Sequence, residues 1–242
     1  MKRFDRRQLG RALVGGVGAY SLALLPGAVE SDEEQDEPSQ GELWSRYNAD
    51  QGDPYELDRI DRWLKPHEKP SCTSQSSLVS YRGSSIRSGG SVLVSPVFRE
   101  RLERFEEVAA ALAREVYGRE PRRLKHYGAY NCRVVRTIKK LISEHALGNA
   151  LDVVGFDFGP ATKATPLPAE APRALRFAFE VRVLRHWGKA DGPNAIHGRF
   201  LELLTERLRA RPDIFRSMFG PGHVGHEDHL HFDVSPWRYV DL

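Results

Sequence analysis

Four of the chain's nine histidines crowd into one short stretch, His223-Val-Gly-His226-Glu-Asp228-His229-Leu-His231. Neutral imidazole is the commonest metal ligand. On a strand, His229 and His231 project to one face, because side chains alternate with period two. Asp228 stands where a loop ends and that strand begins. A second cluster, Ser143-Glu-His145-Ala-Leu-Gly148-Asn-Ala150-Leu-Asp152, sets a histidine and a carboxylate seven residues apart. Gly148 permits a sharp turn between them, and Ala150 leaves room for an ion. His145, Asp152 and one histidine of the later pair make a three-ligand zinc (Zn2+) set with a fourth position for water. Zinc lowers the pKa of such a water to about 7. A neighbouring carboxylate can take the proton and return it to a leaving amine. A structural zinc would instead want a fourth protein ligand, and His226 or His229 can supply it. Either cluster alone is more often a surface or structural feature. Arg133, too, lies in a basic run that by itself reads as a solvated face.

The elements that must position these residues are partly legible. Ser95-Pro96 opens the clearest helix, with Phe98, Leu102, Phe105, Val108 or Ala109, Leu112 and Val116 recurring every three or four residues. Gly118 and Pro121 end it. A second helix covers about 197–210, with Phe200, Leu203, Leu204 and Leu208 inward. Residues 58–64 read as a short helix and 78–94 as a hairpin around Ser88-Gly89-Gly90. Strands are expected at 127–135, 150–158, 176–184 and 228–235. This mixture predicts an α+β fold, a mainly antiparallel sheet flanked by helices.

The ends of the chain carry a different message. Residues 1–28 hold five Lys and Arg against one acid, followed by an uncharged run, Ala12 to Leu25, and Pro26-Gly27-Ala28. This is the pattern of a secretory signal peptide. Arg6-Arg7 fits a twin-arginine signal, and ordinary Sec export fits as well. The apolar run is too short to span a bilayer, so no stable membrane span is expected in the mature form. Residues 29–50 read as an acidic flexible linker, and 51–242 as the folded domain. The net charge of +3 is misleading. Taking the five cations and one acid of 1–28 from 36 and 33 leaves 31 against 32, which removes the electrostatic case for nucleic acid. With 40% hydrophobic residues the chain has enough for a core, and two Cys exclude a disulfide-dense scaffold or a four-Cys zinc module. Export to the periplasm or outside the cell implies an oxidising compartment, where Cys72 and Cys132 can pair. Two unpaired thiols are the alternative.

With both clusters in view, the chain resembles a known group. Ser143–Asp152 is similar to the S-x-H-x-x-G-x-A-x-D motif of zinc D-alanyl-D-alanine peptidases and peptidoglycan endopeptidases. His226-Glu-Asp228-His229-Leu-His231 resembles their terminal motif. With Tyr130-Asn131-Cys132-Arg133 and the run from Phe219 to Asp233, the chain most resembles the extensin-like C-terminal domain family, over about residues 55–236. The resemblance implies a Hedgehog/DD-peptidase-like fold and a monomeric zinc metallopeptidase acting on peptidoglycan peptides. It implies His145, Asp152 and His231 as zinc ligands, and Asp228 as catalytic acid/base. His229 is implied as an accessory catalytic histidine, and Arg133 as the holder of a substrate carbonyl or the oxyanion. Ser143 is implied as a substrate-positioning residue and His226 as a residue behind the ligands. The alternative is an inactive cell-wall-binding module with a structural zinc. The chain departs from its relatives in lacking any Cys after Cys132, and 159–195 is poorly matched.

Overall fold

The computed structural model describes residues 62–167, 172–236 and 238–242. The signal peptide expected at 1–28, the acidic linker at 29–50 and the start of the domain at 51 lie outside them. Nine strands are described: β1 (Val79–Tyr81), β2 (Arg87–Ser88), β3 (Val92–Val94), β4 (Arg123–Gly128), β5 (Ala150–Phe158), β6 (Phe179–Arg182), β7 (Ser217–Phe219), β8 (Leu230–Asp233) and β9 (Tyr239–Asp241). The helices are α1 (Pro96–Tyr117), α2 (Glu144–Leu147), α3 (Val183–His186) and α4 (Ala195–Arg209). None of the described helices is long and apolar enough to cross a membrane.

The main helix begins and ends where its sequence directs. The Ser95 side chain accepts from the Phe98 N–H at 3.0 Å, and Pro96 occupies the first turn. Gly118, at φ 68°, turns the chain out of the helix. The inward face, Phe98, Leu102, Phe105, Ala109 and Leu112, is fully buried. Phe105 lies 6.5 Å from the Phe156 ring on β5 and 5.7 Å from Phe232 on β8, so α1 seals the sheet behind the two strands that carry the site. Truncating such a residue to Ala costs about 3–5 kcal/mol.

The main sheet runs β2-β4-β5-β8-β7-β9, and β6 also pairs with β5. β4 lines one edge of the long β5, while β8 and β6 share the other, at 150–153 and 155–158. The sheet is mixed: antiparallel pairings outnumber parallel ones, as expected, but it is not antiparallel throughout. Its centre is antiparallel, but β2 pairs with β4 and β7 with β9 in parallel. The physical reason is connectivity. Parallel neighbours need a long crossover, and β3 with α1 supplies one between β2 and β4.

Other boundaries move for local reasons. The expected hairpin at 78–94 survives as β1 against β3, but β2 between them leaves to join β4. The strand expected at 127–135 is instead Arg123–Gly128. Beyond it the chain is tied down by Cys132 and by the Asn131 N–H donating to the His145 carbonyl. The strand expected at 176–184 shortens to Phe179–Arg182, because Val183 opens α3. Of the helix expected at 58–64, residues 58–61 lie outside the described residues. Residues 62–64 are extended: Trp63 bridges to Leu141 and the Leu64 N–H donates to the Lys140 carbonyl at 2.7 Å. β5 falls on the expected 150–158.

Candidate metal centre

The ten residues from Ser143 to Asp152 fold as one turn of helix, a reversal and a strand. Ser143 caps α2, its side chain accepting from the His145 N–H at 3.3 Å. Gly148 reverses the chain at φ 72°. A Cβ there would stand 2.9 Å from the Ser95 nitrogen and 2.7 Å from a Leu78 methyl, so a larger residue fails on both conformation and space. The reversal lays α2 over the start of β5, and His145 comes back over Asp152. Strand pairing brings the third residue, since Asp152 of β5 is the register partner of His231 of β8.

The three side chains meet through one atom each. His145 Nε2 is 3.2 Å from Asp152 Oδ1 and 3.2 Å from His231 Nδ1, and His231 Nδ1 is 2.9 Å from Asp152 Oδ1. Donors bound tetrahedrally at about 2.0–2.2 Å from one zinc would stand roughly 3.3 Å apart. The far sides of both rings are engaged. His145 Nδ1 donates to the Ala129 carbonyl, and His231 Nε2 donates to Asp233 Oδ2 at 2.8 Å. Each ring in its neutral form therefore turns a lone pair inward. Two nitrogen lone pairs and a carboxylate oxygen so close repel unless a proton or a cation sits among them. The three residues fit a metal ion for that reason, and fixing the outer nitrogens is how proteins orient metal-binding imidazoles.

The protonation of these residues is consistent. Burial works against charge on His231, but hydrogen bonds to Asp152 and Asp233 outweigh it and push the ring up to about 9. Burial raises Asp152 too, yet hydrogen bonds from His145 and His231 hold it far below the usual carboxylate range. Asp233 is itself fixed by the backbone N–H of Ser235, at 2.9 Å, and by the Ser235 hydroxyl.

Around this set stand the remaining residues singled out by the sequence. His229 lies just outside β8, so the strand argument does not place it. Even so its Nε2 is 3.6 Å from Asp152 Oδ1, and its Nδ1 is 2.8 Å from Asp228 Oδ1. Asp228 is not a buried carboxyl: its side chain is 39% exposed. Hydrogen bonds from Tyr127, at 2.5 Å, and then from His229 keep it below its ordinary pKa. Arg133 is half-buried. Desolvation lowers its pKa while the charge of Asp152 opposes that, and it has no carboxylate partner among the described residues. Ser143 is buried and spends its hydroxyl on the cap of α2. His226 packs its ring 4.9 Å from His229 and 5.7 Å from His231, and burial first, then its histidine neighbours, lower it to about 4.

Two long-range ties hold the segment between β4 and α2. Cys72 and Cys132, 60 positions apart in sequence, form a disulfide with Cα atoms 5.6 Å apart. Arg62, fully buried, contacts Glu144 at 2.7 and 3.1 Å. Burial pushes Glu144 up to about 7 against the pull of Arg62. Sequence reading missed Arg62, Tyr127 and Asp233. For Asp233 a signal existed, because His231-Phe-Asp233 on a strand puts both polar side chains on one face.

No curated protein and no solved structure matches the chain. A family model does, described as Extensin-like protein C-terminus, over residues 58–177. That stretch is just short of half the chain and holds Cys72, Cys132, Arg133, Ser143, His145 and Asp152, but not His231, and the match supports an extensin-like chain.

Proposed function

We propose that the chain is an exported zinc-dependent peptidase that hydrolyses amide bonds in peptidoglycan stem peptides or cross-links. The observation that carries the reading is the convergence of His145 Nε2, Asp152 Oδ1 and His231 Nδ1, with the outer nitrogen of each histidine already committed elsewhere. Such a donor set suits zinc, which when bound supplies Lewis acidity and a water of lowered pKa. The peptidoglycan substrate and the Hedgehog/DD-peptidase likeness rest on the resemblance of the two motifs. Arg133, a cation that feels the charge of Asp152 and has no carboxylate partner among the described residues, is suited to a substrate carbonyl as negative charge develops on it. Asp228 and His229 form the proton-handling pair: one His229 nitrogen is held by Asp228, and the other faces the ligand set.

The experiment is digestion of purified muropeptides by the zinc-loaded chain, followed by mass spectrometry. Cleavage is expected, abolished by a chelator and restored by zinc. Asp228→Asn should keep zinc and lose cleavage. An Asp228→Asn protein that cleaves as well as the parent would remove the pair from the reaction. One observation favours a second reading. His229 Nε2 stands 3.6 Å from Asp152 Oδ1, outside the group of three mutually close donors, and a shift of its ring that made it a fourth donor would make the zinc structural and the chain a wall-binding module. That reading expects binding to sacculi with no bond cut.

A further inference from the structure

We infer that Tyr127 is a positioning residue of the site, holding Asp228 so that Asp228 can hold His229. Tyr127 is the extra residue of a β-bulge. Along the β4–β5 ladder His126 pairs with Val153 and Gly128 pairs with Asp152, which leaves Tyr127 between them without a partner on β5. Bulges re-aim a side chain and recur beside active sites. Here the bulge lies one strand from Asp152 and turns an aromatic side chain that is 61% exposed, with nothing to gain as a core residue.

What Tyr127 does gain is specific. Its hydroxyl donates to Asp228 Oδ2 at 2.5 Å across 101 residues of sequence, and its ring meets the edge of the His229 ring at 5.6 Å and 75°. Among the described residues Asp228 has two side-chain partners, Tyr127 on Oδ2 and His229 on Oδ1. Asp228 sits in the loop before β8, where no ladder fixes its direction. With Tyr127 in place, the free oxygen of Asp228 is aimed at His229 Nδ1. That nitrogen then carries the proton, and Nε2 is left as an acceptor facing the ligand set. Without the hydroxyl the carboxylate can rotate, and His229 loses its fixed tautomer and orientation. The catalytic consequence rests on the peptidase reading, but the positioning itself does not.

The test uses the zinc-loaded chain and Tyr127→Phe, which keeps the ring contact and removes the hydroxyl. Nitrogen NMR of labelled histidines at one pH reads the His229 tautomer, and muropeptide cleavage gives kcat and KM. Tyr127→Phe is expected to keep its zinc and melting temperature, to lose the single Nδ1–H form of His229, and to lower kcat about 10- to 100-fold with KM within about twofold. An unchanged His229 spectrum overturns the inference. Loss of zinc from Tyr127→Phe also overturns it, since the residue would then support the ligands and not the pair. If the parent cleaves nothing while Tyr127→Phe still releases the His229 tautomer, the positioning stands and the peptidase reading falls.

Discussion

Among the histidines that meet ring to ring in the described residues, two pairs have surroundings that give them opposite properties. His145 and His231 have ring centroids 5.0 Å apart, and His186 and His197 4.8 Å apart. The first pair is bracketed by oxygen: Asp152 between the rings, Asp233 and the Ala129 carbonyl behind them. The second lies among aromatic rings, with His197 stacked 5.2 Å from Phe179 and bonded to the Tyr117 hydroxyl at 3.1 Å. Burial opposes charge at His231 and at His197. Carboxylates overcome it at His231, which rises to about 9, and nothing does at His197, which falls to about 4. Adjacent imidazoles alone therefore say little about metal. Oxygen partners that fix the outer nitrogens, and a carboxylate that completes the donor set, mark the difference.

The largest test of that contrast is to take the carboxylate away. Asp152→Asn should lower zinc affinity by more than about 100-fold, beyond what loss of an outer partner costs. His197→Phe should leave zinc stoichiometry unchanged. Equilibrium dialysis against zinc reads both. Equal zinc loss from the two variants would mean that the pairs are not distinct in kind. A smaller effect is expected from Asp233→Asn, which keeps all three donor atoms but weakens the grip on His231 Nε2. Affinity should fall about 10- to 100-fold with the fold intact. If Asp233→Asn binds zinc as tightly as the parent, the outer carboxylate is not what sets His231 apart.

The two pairs also differ in how far they can be read from sequence. His145 and Asp152 are legible together because their spacing is a local device, one helical turn, Gly148 and the first residues of β5. The candidacy of His231 follows from alternation, but the choice between it and His229 does not, since the strand begins only at Leu230. Asp233 is legible by the same alternation once its neighbour is suspected. Tyr127 and Arg62 are not, because each reaches a partner far along the chain, 101 and 82 residues away. A bulge that re-aims Tyr127 leaves no mark in a single sequence. The parallel edges of the sheet are hidden for a related reason: they depend on where β2 and β9 return, and no local pattern states that. His197 falls at the start of the helix expected at about 197–210, while the short helix that carries His186 is not expected, and nothing in their spacing tells that they meet.

The disulfide offers a further separation. It fastens the segment that carries Arg133 and leads into Ser143 and His145, and the second pair has no such tie. Closing a loop of this size stabilises by about 4 kcal/mol in the chain-entropy model. The Cys72→Ser, Cys132→Ser double variant should therefore unfold at lower denaturant, read by a urea titration. If its midpoint equals that of the parent, the segment is held by the Arg62–Glu144 pair and the Trp63–Leu141 bridge without help from the cross-link.

The smallest effect belongs to the second pair alone. Burial lowers His197 to about 4, and the neighbouring His186 adds to this. Burial also lowers His186, with Arg185 and Arg182 acting the same way and Glu180 against it. An unfolded histidine titrates near 6.5. Between about 6.5 and about 4 the unfolded chain thus binds more protons than the folded one, and stability falls as the pH is lowered through that window. The melting temperature should drop across it. His197→Phe, which keeps an aromatic ring in the stack and removes the titrating group, should show a shallower drop, whatever it loses at the Tyr117 hydroxyl. A parallel pair of melting curves, offset but equal in slope, would mean that the aromatic pair does not resist protonation and that only the oxygen-bracketed pair feels its surroundings.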